Sequence, residues 1–493
     1  MSGYGNVGEL RASVTPKGTR SVDVGSITRP KTHICRFGDK IATEPRVLRT
    51  EYNFPRRIGG LGRSMSTIGF AAIALGVILF SLVSRRLEST VITPPMVFTV
   101  FGLIIGEAVL GVANVDFGHG FIHGLAELTL ILVLFSDAAR IDLRRLGRDH
   151  NLPVRMLLIG MPLTIAAGTL IAFWLPIGLS FWEAALLAAI LAPTDAALGQ
   201  SVVSSSHVPV RIRQALNVES GLNDGIALPV ILLFATLAGA TLTEGTQNWA
   251  LFGAKQLILG PLAGVVVGGA GAWLLDRAAK KEWITESYEG AAIIGTALLA
   301  YSGAEIIGGN GFIAAFVGGL IFGNLVRGRC GFVFKFVEAE GQILVLLTFL
   351  IFGAAILPQS FGEIGWVMAL YALLSLTVIR MIPVGVSLVG SGVRKPTVAF
   401  LGWFGPRGLA SMLFALFILE EIPTAAGEKI LVITIATVAL SILAHGLSAA
   451  PAARRYGELA ARMGECEETK AVIEMPTRVR MNFSVKTTRS TTE

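Results

Sequence analysis

Val218-Glu219-Ser220-Gly221-Leu222-Asn223-Asp224-Gly225-Ile226-Ala227-Leu228-Pro229 runs directly into Val230-Ile231-Leu232-Leu233-Phe234. The stretch reads as one membrane-spanning helix that carries a carboxylate, an amide beside it, and a glutamate five residues earlier. A charge in that position costs at least about 2.5 kcal/mol on insertion scales, so an intramembrane ionisable residue marks a functional site by default. Ser220 and Asp224 are four residues apart and share a helix face, as do Glu219 and Asn223 one residue round. A desolvated carboxylate is neutralised by either a proton or a hard cation. Two ions competing for one Asp224 is therefore a coupling device in itself.

The surrounding composition agrees. Of 493 residues, 53% are hydrophobic and 15% charged, against roughly 25% charged in soluble domains, and the mean hydropathy is +0.67. Apolar runs of about 17–25 residues, each long enough for a hydrocarbon core of about 30 Å, recur from Ser66 to Pro451. The 57 glycines suit close helix approach in lipid. The fold class is an all-α polytopic membrane protein. The expected spans are roughly 66–84, 91–113, 121–138, 154–175, 181–203, 214–240, 252–275, 289–307, 311–326, 338–357, 364–390, 397–419 and 428–450, with ends good to about 2–4 residues. Net charge is +7, but the basic residues lie in loops and tails, which argues against a nucleic-acid partner. Cys35, Cys330 and Cys466 have neither metal nor disulfide spacing. No His/Glu metal signature, serine elbow or Walker loop points to an enzyme, and no cofactor is implied.

Loop charge alternates. Basic residues follow the odd-numbered spans, as in Arg140, Arg144, Arg145 and Arg148, while the intervening loops are nearly free of them. The positive-inside rule then puts the C-terminus in the cytoplasm of a plasma (inner) membrane. Residues 1–64, with twelve Lys and Arg, oppose this orientation if they precede an outside start. Met65 is read as the native start, with a disordered basic tail as the equal alternative. Residues 452–493 read as a short, polar, largely unstructured cytoplasmic tail.

Two spans are interrupted: one at Ala192-Pro193-Thr194-Asp195, the other at Gly405-Pro406-Arg407-Gly408. They lie seven spans apart, as two inverted six-helix repeats joined by a linker span require. Paired Pro/Gly breaks point to a transporter's midplane site. Thr194, Asp195 and the freed carbonyls are oxygen ligands suited to a hard cation, although a capped proline kink leaves the same trace. Arg407 is always charged and needs an anion, with Glu219 the first choice and Asp195 the second.

Glu219-Ser220-Gly221-Leu222-Asn223-Asp224, Pro193-Thr194-Asp195 and Gly405-Pro406-Arg407-Gly408 together resemble the motifs of the cation/proton antiporter 1 family, the sodium/proton exchangers. The resemblance covers roughly Met65 to Tyr456. It implies ion and proton binding at Asp224, with Asn223 going with electroneutral exchange. Ser220, Thr194 and Asp195 would line the site, Na⁺ being transported at Asp224, Thr194 and Ser220, and Glu219–Arg407 would be a structural ion pair. It further implies a homodimer. Dimer-forming helices would occupy 65–146 and 287–359, core transport helices 152–240 and 364–450, and a linker helix 252–275. Ala196 departs from the family, which usually has proline there. Asp137 stands either near the ion path or simply at a span end. Glu107 and Glu305 are further intramembrane acids, Arg380 is expected to pair with a core carbonyl or acid, and His445 either tunes the pH response or packs. The implied function is Na⁺/H⁺ exchange. The alternative is K⁺/H⁺ antiport, or a potassium-efflux protein of the related antiporter 2 group, which usually carries a soluble nucleotide-binding domain.

Overall fold

In hydrocarbon every backbone N–H and C=O must be paired within the protein, and a helix does this within its own segment. The computed structural model describes residues 67–87, 90–112, 119–146, 151–240, 249–326, 331–421, 425–464 and 466–470, and the regular elements among them are all helical. The N-terminal 1–64 segment lies outside the described residues. In chain order the α-helices are α1 (Thr67–Leu87), α2 (Pro94–Ile105), α3 (His119–Arg140), α4 (Leu143–Leu146), α5 (Asn151–Arg155), α6 (Met161–Trp174) and α7 (Phe181–Ile190). There follow α8 (Ala196–Val203), α9 (Val210–Ala240), α10 (Trp249–Lys280), α11 (Glu286–Ile306), α12 (Gly311–Val326) and α13 (Gly331–Ile351). The last are α14 (Leu357–Ser360), α15 (Trp366–Leu376), α16 (Val378–Ser387), α17 (Lys395–Trp403), α18 (Leu409–Glu421) and α19 (Ala425–Ala461). Single π-turns at Met156–Gly160 and Phe352–Ile356 join α5 to α6 and α13 to α14.

Among the described residues, seven helical stretches are long and apolar enough to cross a bilayer, and three shorter apolar helices accompany them. Each expected span falls on a helix or a pair of helices, with differences at the ends. Helix α2 stops at Ile105, capped by Gly106, which leaves Glu107 exposed in the turn beyond rather than inside a span. Helix α13 begins at Gly331, seven residues before the expected start. The span expected over 364–390 is split at Thr377 (φ −111°, ψ −94°) into α15 and α16. The described part of the tail is more ordered than its polarity predicts: α19 continues to Ala461, and residues 466–470 carry a 3₁₀ turn at Glu467–Thr469.

The helices pack in two sets. Helices α2, α3 and α10–α13 pack on one another, and α6, α7, α9 and α15–α19 form the other set. Glycine brings α12 close to α3. A Cβ at Gly319 or Gly323 would collide with the Phe135 or Ala139 carbonyl, the close backbone approach that small residues permit in membranes. Helix α9 belongs to the second set but also touches α3, α10 and α12. It makes that contact beside Asp224, where Gly225 leaves room for the Phe316 ring. Helix α1 is peripheral, with Gly69 its one buried residue.

Candidate functional site

Pro193 cannot donate to a helical ladder, and Gly405-Pro406 cannot sustain one. Helix α7 accordingly ends at Ile190, and α8 starts at Ala196 with Asp195 as its N-cap. Helix α17 ends at Trp403, and α18 starts at Leu409. The two extended segments lie against each other, joined by the Asp195 N–H donating to the Pro406 carbonyl at 2.8 Å.

Asp195 ties the crossing together. Its Oδ1 accepts from the Ala197 and Leu198 N–H groups at 2.6 and 3.3 Å, and its Oδ2 accepts from the Leu409 N–H at 2.7 Å. One carboxylate thus caps the N-termini of α8 and α18, whose dipoles favour an anion. Sequence reading placed Asp195 among the ion ligands; in the structure both its oxygens are engaged by backbone.

Arg407 is fully buried. Its Nη1 donates to the Ala192 and Pro193 carbonyls at 2.8 and 3.1 Å. The guanidinium takes up the carbonyls that the first break frees, at the negative end of α7. The expected Glu219–Arg407 pair is therefore not the one the fold makes. Glu219 instead pairs with Arg380, Nη1 to Oε1 at 2.7 Å and Nη2 to Oε2 at 2.9 Å, with both side chains 4% exposed. Two features explain the exchange of partners. The split at Thr377 sets α16 so that Arg380 faces α9, and carbonyl oxygens offered at the break take Nη1 of Arg407, whose Nε and Nη2 are buried without a hydrogen-bond partner among the described residues.

On α9, Asn223 is 1% exposed and donates from Nδ2 to Thr194 Oγ1 at 2.6 Å. This bond joins the Asp224 helix to the first break. The Asn223 Oδ1 is buried without a hydrogen-bond partner among the described residues. Ser220 and Asp224 are each 7% exposed. The Ser220 hydroxyl donates to the Leu216 carbonyl, one turn back, at 2.9 Å, which leaves its lone pairs as acceptors. The structure thus joins Asn223 to Thr194 at the first break, with Ser220 and Asp224 buried near Asn223 on α9. Carboxylate, amide and hydroxyl oxygens are the donor types a hard monovalent cation takes.

Asp137 lies at the end of α3, 3.7 Å from Arg140, and its carbonyl borders Gly221 on α9. It stands at the seam between the two helix sets, one turn from Asp224 along α9. Glu305 is exposed at the end of α11 and accepts from the Gly311 N–H at 2.7 Å, a helix-start role away from the crossing. His445 is buried and bonded to the second break. Sequence reasoning expected Arg380 to pair with a core carbonyl or acid, which is Glu219, but had no signal for which one, nor for the partners of His445.

Known proteins resemble this chain in sequence and fold. The family profile described as "Sodium/hydrogen exchanger, transmembrane" matches residues 71–455. The chain is 27% identical over 403 residues to the K(+)/H(+) antiporter NhaP of Alkalimonas amylolytica, covering 79% of this chain and 67% of that protein. It is 28% identical over 382 residues to Na(+)/H(+) antiporter 2 of Zygosaccharomyces rouxii, covering 71% of this chain and 45% of that one. The chain spans about two thirds or less of the length of these curated relatives. The solved sodium proton antiporter MjNhaP1 of Methanocaldococcus jannaschii superimposes with a TM-score of 0.64 at 22% identity, over 78% of this chain and 97% of that one. With its apolar helices, its crossed breaks and a family match over most of its length, this multi-pass membrane protein belongs to the sodium/hydrogen exchanger family of cation/proton antiporters.

Proposed function

We propose that this protein is a secondary antiporter that exchanges one proton for one monovalent cation, Na⁺, with both ions seated in turn at Asp224. The observation that carries the reading is a charge count. Three carboxylates (Asp195, Glu219 and Asp224) and two guanidiniums (Arg380 and Arg407) lie at the crossing, or on α9 and in the ion pair that it makes beside it. Such a cluster becomes neutral by taking one proton or one monovalent cation. Both loaded states then cross a low-dielectric region at the same net charge, which makes exchange electroneutral. Asp224 is the seat because it is buried within the α9 span directly beside Asn223, which bonds Thr194 at the first break. Asn223 Oδ1, Thr194 Oγ1 and Ser220 Oγ supply the neutral oxygens of the cation shell. Asp137 lies on the path by which the ion arrives.

The reading extends to a homodimer in a plasma membrane with its C-terminus in the cytoplasm, supported by the loop charge and by the separate set of helices around α3 and α10–α13. Alternating access would move the crossing past that set at the Gly225–Phe316 seam. A second reading takes K⁺ as the cation, and the curated name of the Alkalimonas relative favours it.

Proteoliposomes loaded with a pH-sensitive dye test both. Added cation should dissipate an imposed pH gradient with the wild type and not with Asp224→Asn; normal dissipation by that variant rejects the site. A series of Na⁺, Li⁺ and K⁺ on the same preparation decides between the cations.

A further inference from the structure

One turn of α19 fastens the second break at both ends. Ser441 and His445 are four residues apart on that helix and are 0% and 1% exposed. The Arg407 N–H donates to Ser441 Oγ at 2.7 Å. Ser441 Oγ lies 3.2 Å from His445 Nδ1, and His445 Nε2 lies 2.9 Å from the Trp403 carbonyl. Nδ1 also borders the Ser441 carbonyl at 3.1 Å; the Nε2–H tautomer is the one that satisfies the three contacts along the break. Nε2 carries the proton and donates to the Trp403 carbonyl; Nδ1 accepts from the Ser441 hydroxyl; the hydroxyl oxygen accepts from the Arg407 N–H. The relay runs from the last residue of α17 to the second residue before α18. The imidazole also stacks on the Trp403 ring, with centroids 5.1 Å apart, and the Trp403 Nε1–H donates to Ser448 Oγ, again on α19, at 2.9 Å.

The relay has a route to the ion site. Arg407, held by its backbone at Ser441, gives Nη1 to the carbonyls of Ala192 and Pro193. The next residue is Thr194, whose hydroxyl accepts from Asn223 beside Asp224. We propose that His445, acting with Ser441, is a positioning residue of the exchange cycle. It holds the extended segment 404–408 so that Arg407 fixes the first break, and through it the Thr194 and Asn223 oxygens of the cation shell. The inference rests on the reading of Asp224 as the exchange site.

A histidine that only packs would lower the yield of folded protein without changing the affinity of what folds. A positioning histidine changes affinity. The experiment measures turnover against cation concentration in proteoliposomes for wild type, Asp224→Asn, Ser441→Ala, Ser441→Thr, His445→Gln and the double variant Ser441→Ala/His445→Gln. All are purified as monodisperse protein. Glutamine can still reach the Trp403 carbonyl but offers no acceptor where Nδ1 stands, so it cuts the relay at Ser441 with little loss of volume.

Ser441→Ala and His445→Gln should each raise the apparent KM for the cation about three- to tenfold, the size of one lost neutral hydrogen bond, with a smaller fall in maximal rate. The double variant should be no worse than the worse single one, because both cut one relay. Ser441→Thr, which keeps the hydroxyl, should stay near wild type. Unchanged KM in both single variants, or effects that multiply in the double variant, overturns the proposal while leaving the exchange reading intact. Absence of exchange in the wild type, or normal exchange by Asp224→Asn, overturns the exchange reading and this one with it.

Discussion

Glu219 and Arg380 meet through two parallel hydrogen bonds, 2.7 and 2.9 Å long, at a place where each side chain is 4% exposed. The pair joins α9, the helix of Asp224, to α16. Its fork geometry is one that arginine makes and lysine does not. Arg407 stands elsewhere in the crossing, on carbonyl oxygens, so the two buried arginines have different tasks.

Removing one partner of the Glu219–Arg380 pair strands a buried charge, at a cost of about 3–5 kcal/mol. Arg380→Ala and Glu219→Ala should therefore each lower the thermal midpoint of the detergent-solubilised protein sharply. The double variant Glu219→Ala/Arg380→Ala should be milder than either single one. Arg380→Lys should recover part of the loss. A double variant as damaged as the sum of the singles would mean that the two side chains do not act as a pair.

Gly408 makes the double cap of Asp195 possible, because a Cβ there would collide with Asp195 Oδ2, which accepts from Leu409. Gly408→Ala should uncap α18, cost about 1–3 kcal/mol for the buried groups left unsatisfied, and abolish most exchange. Gly199 on α8 is the control: the nearest atom to a Cβ there is Pro406 Cγ at 4.0 Å, an ordinary contact. Gly199→Ala should fold and transport normally. Equal behaviour of the two variants, measured by thermal midpoint and initial exchange rate, would show that the cap does not depend on the missing Cβ.

These residues also mark how far the sequence could be read. The breaks were legible because proline and glycine announce them locally, and the shared face of Ser220 and Asp224 follows from helical period. Periodicity does not orient one helix against another, so two arginines and three acids could not be paired from spacing. The split at Thr377 has no proline or glycine at it, and α16 therefore read as one helix with α15. Asp195 was visible as a polar residue after a proline. Its second task, at Leu409, joins positions more than two hundred residues apart. Within the described part of the tail, α19 buries Ala453, Tyr456 and Ala460 at helical spacing, a pattern that was there to be read past Pro451. The turn beyond it is held by polar contacts of Glu467 and Glu468, which leave no such pattern.

The charge count predicts the response to voltage. With one proton exchanged for one monovalent cation, initial rates in proteoliposomes should be the same at zero potential and at an imposed negative or positive potential. Asn223→Asp adds a fourth carboxylate to the cluster, so one proton or one cation no longer neutralises it, and exchange by that variant should become voltage-dependent. Voltage-dependent exchange by the wild type would mean that unequal charges move per cycle and that the count omits a titrating group.

The C-terminal turn predicts a pH-independent strap. Glu467 pairs with Arg211 on α9 and with Lys470. Glu468 is fully buried and accepts from the Arg394 N–H at 2.6 Å and from the Thr397 hydroxyl at 2.9 Å, both at the start of α17. Lys470 and Arg211 hold the Glu467 carboxyl below its ordinary value. Burial works against the Glu468 carboxylate, but its hydrogen bonds, led by the Arg394 N–H, outweigh burial and hold its carboxyl below the ordinary value too. A depressed folded-state pKa stabilises the docked tail above the ordinary glutamate value of 4.5, and that stabilisation is lost only as pH falls through the lower, folded-state value. Both acids therefore stay ionised and docked across the range in which an exchanger works. Glu468→Gln should lower the thermal midpoint by the same amount at pH 8, 7 and 6, and truncation after Gly464 should do likewise. A difference between wild type and variant that shrinks from pH 8 to pH 6 would show that the strap titrates in the working range and that the carboxylates are not held as the geometry indicates.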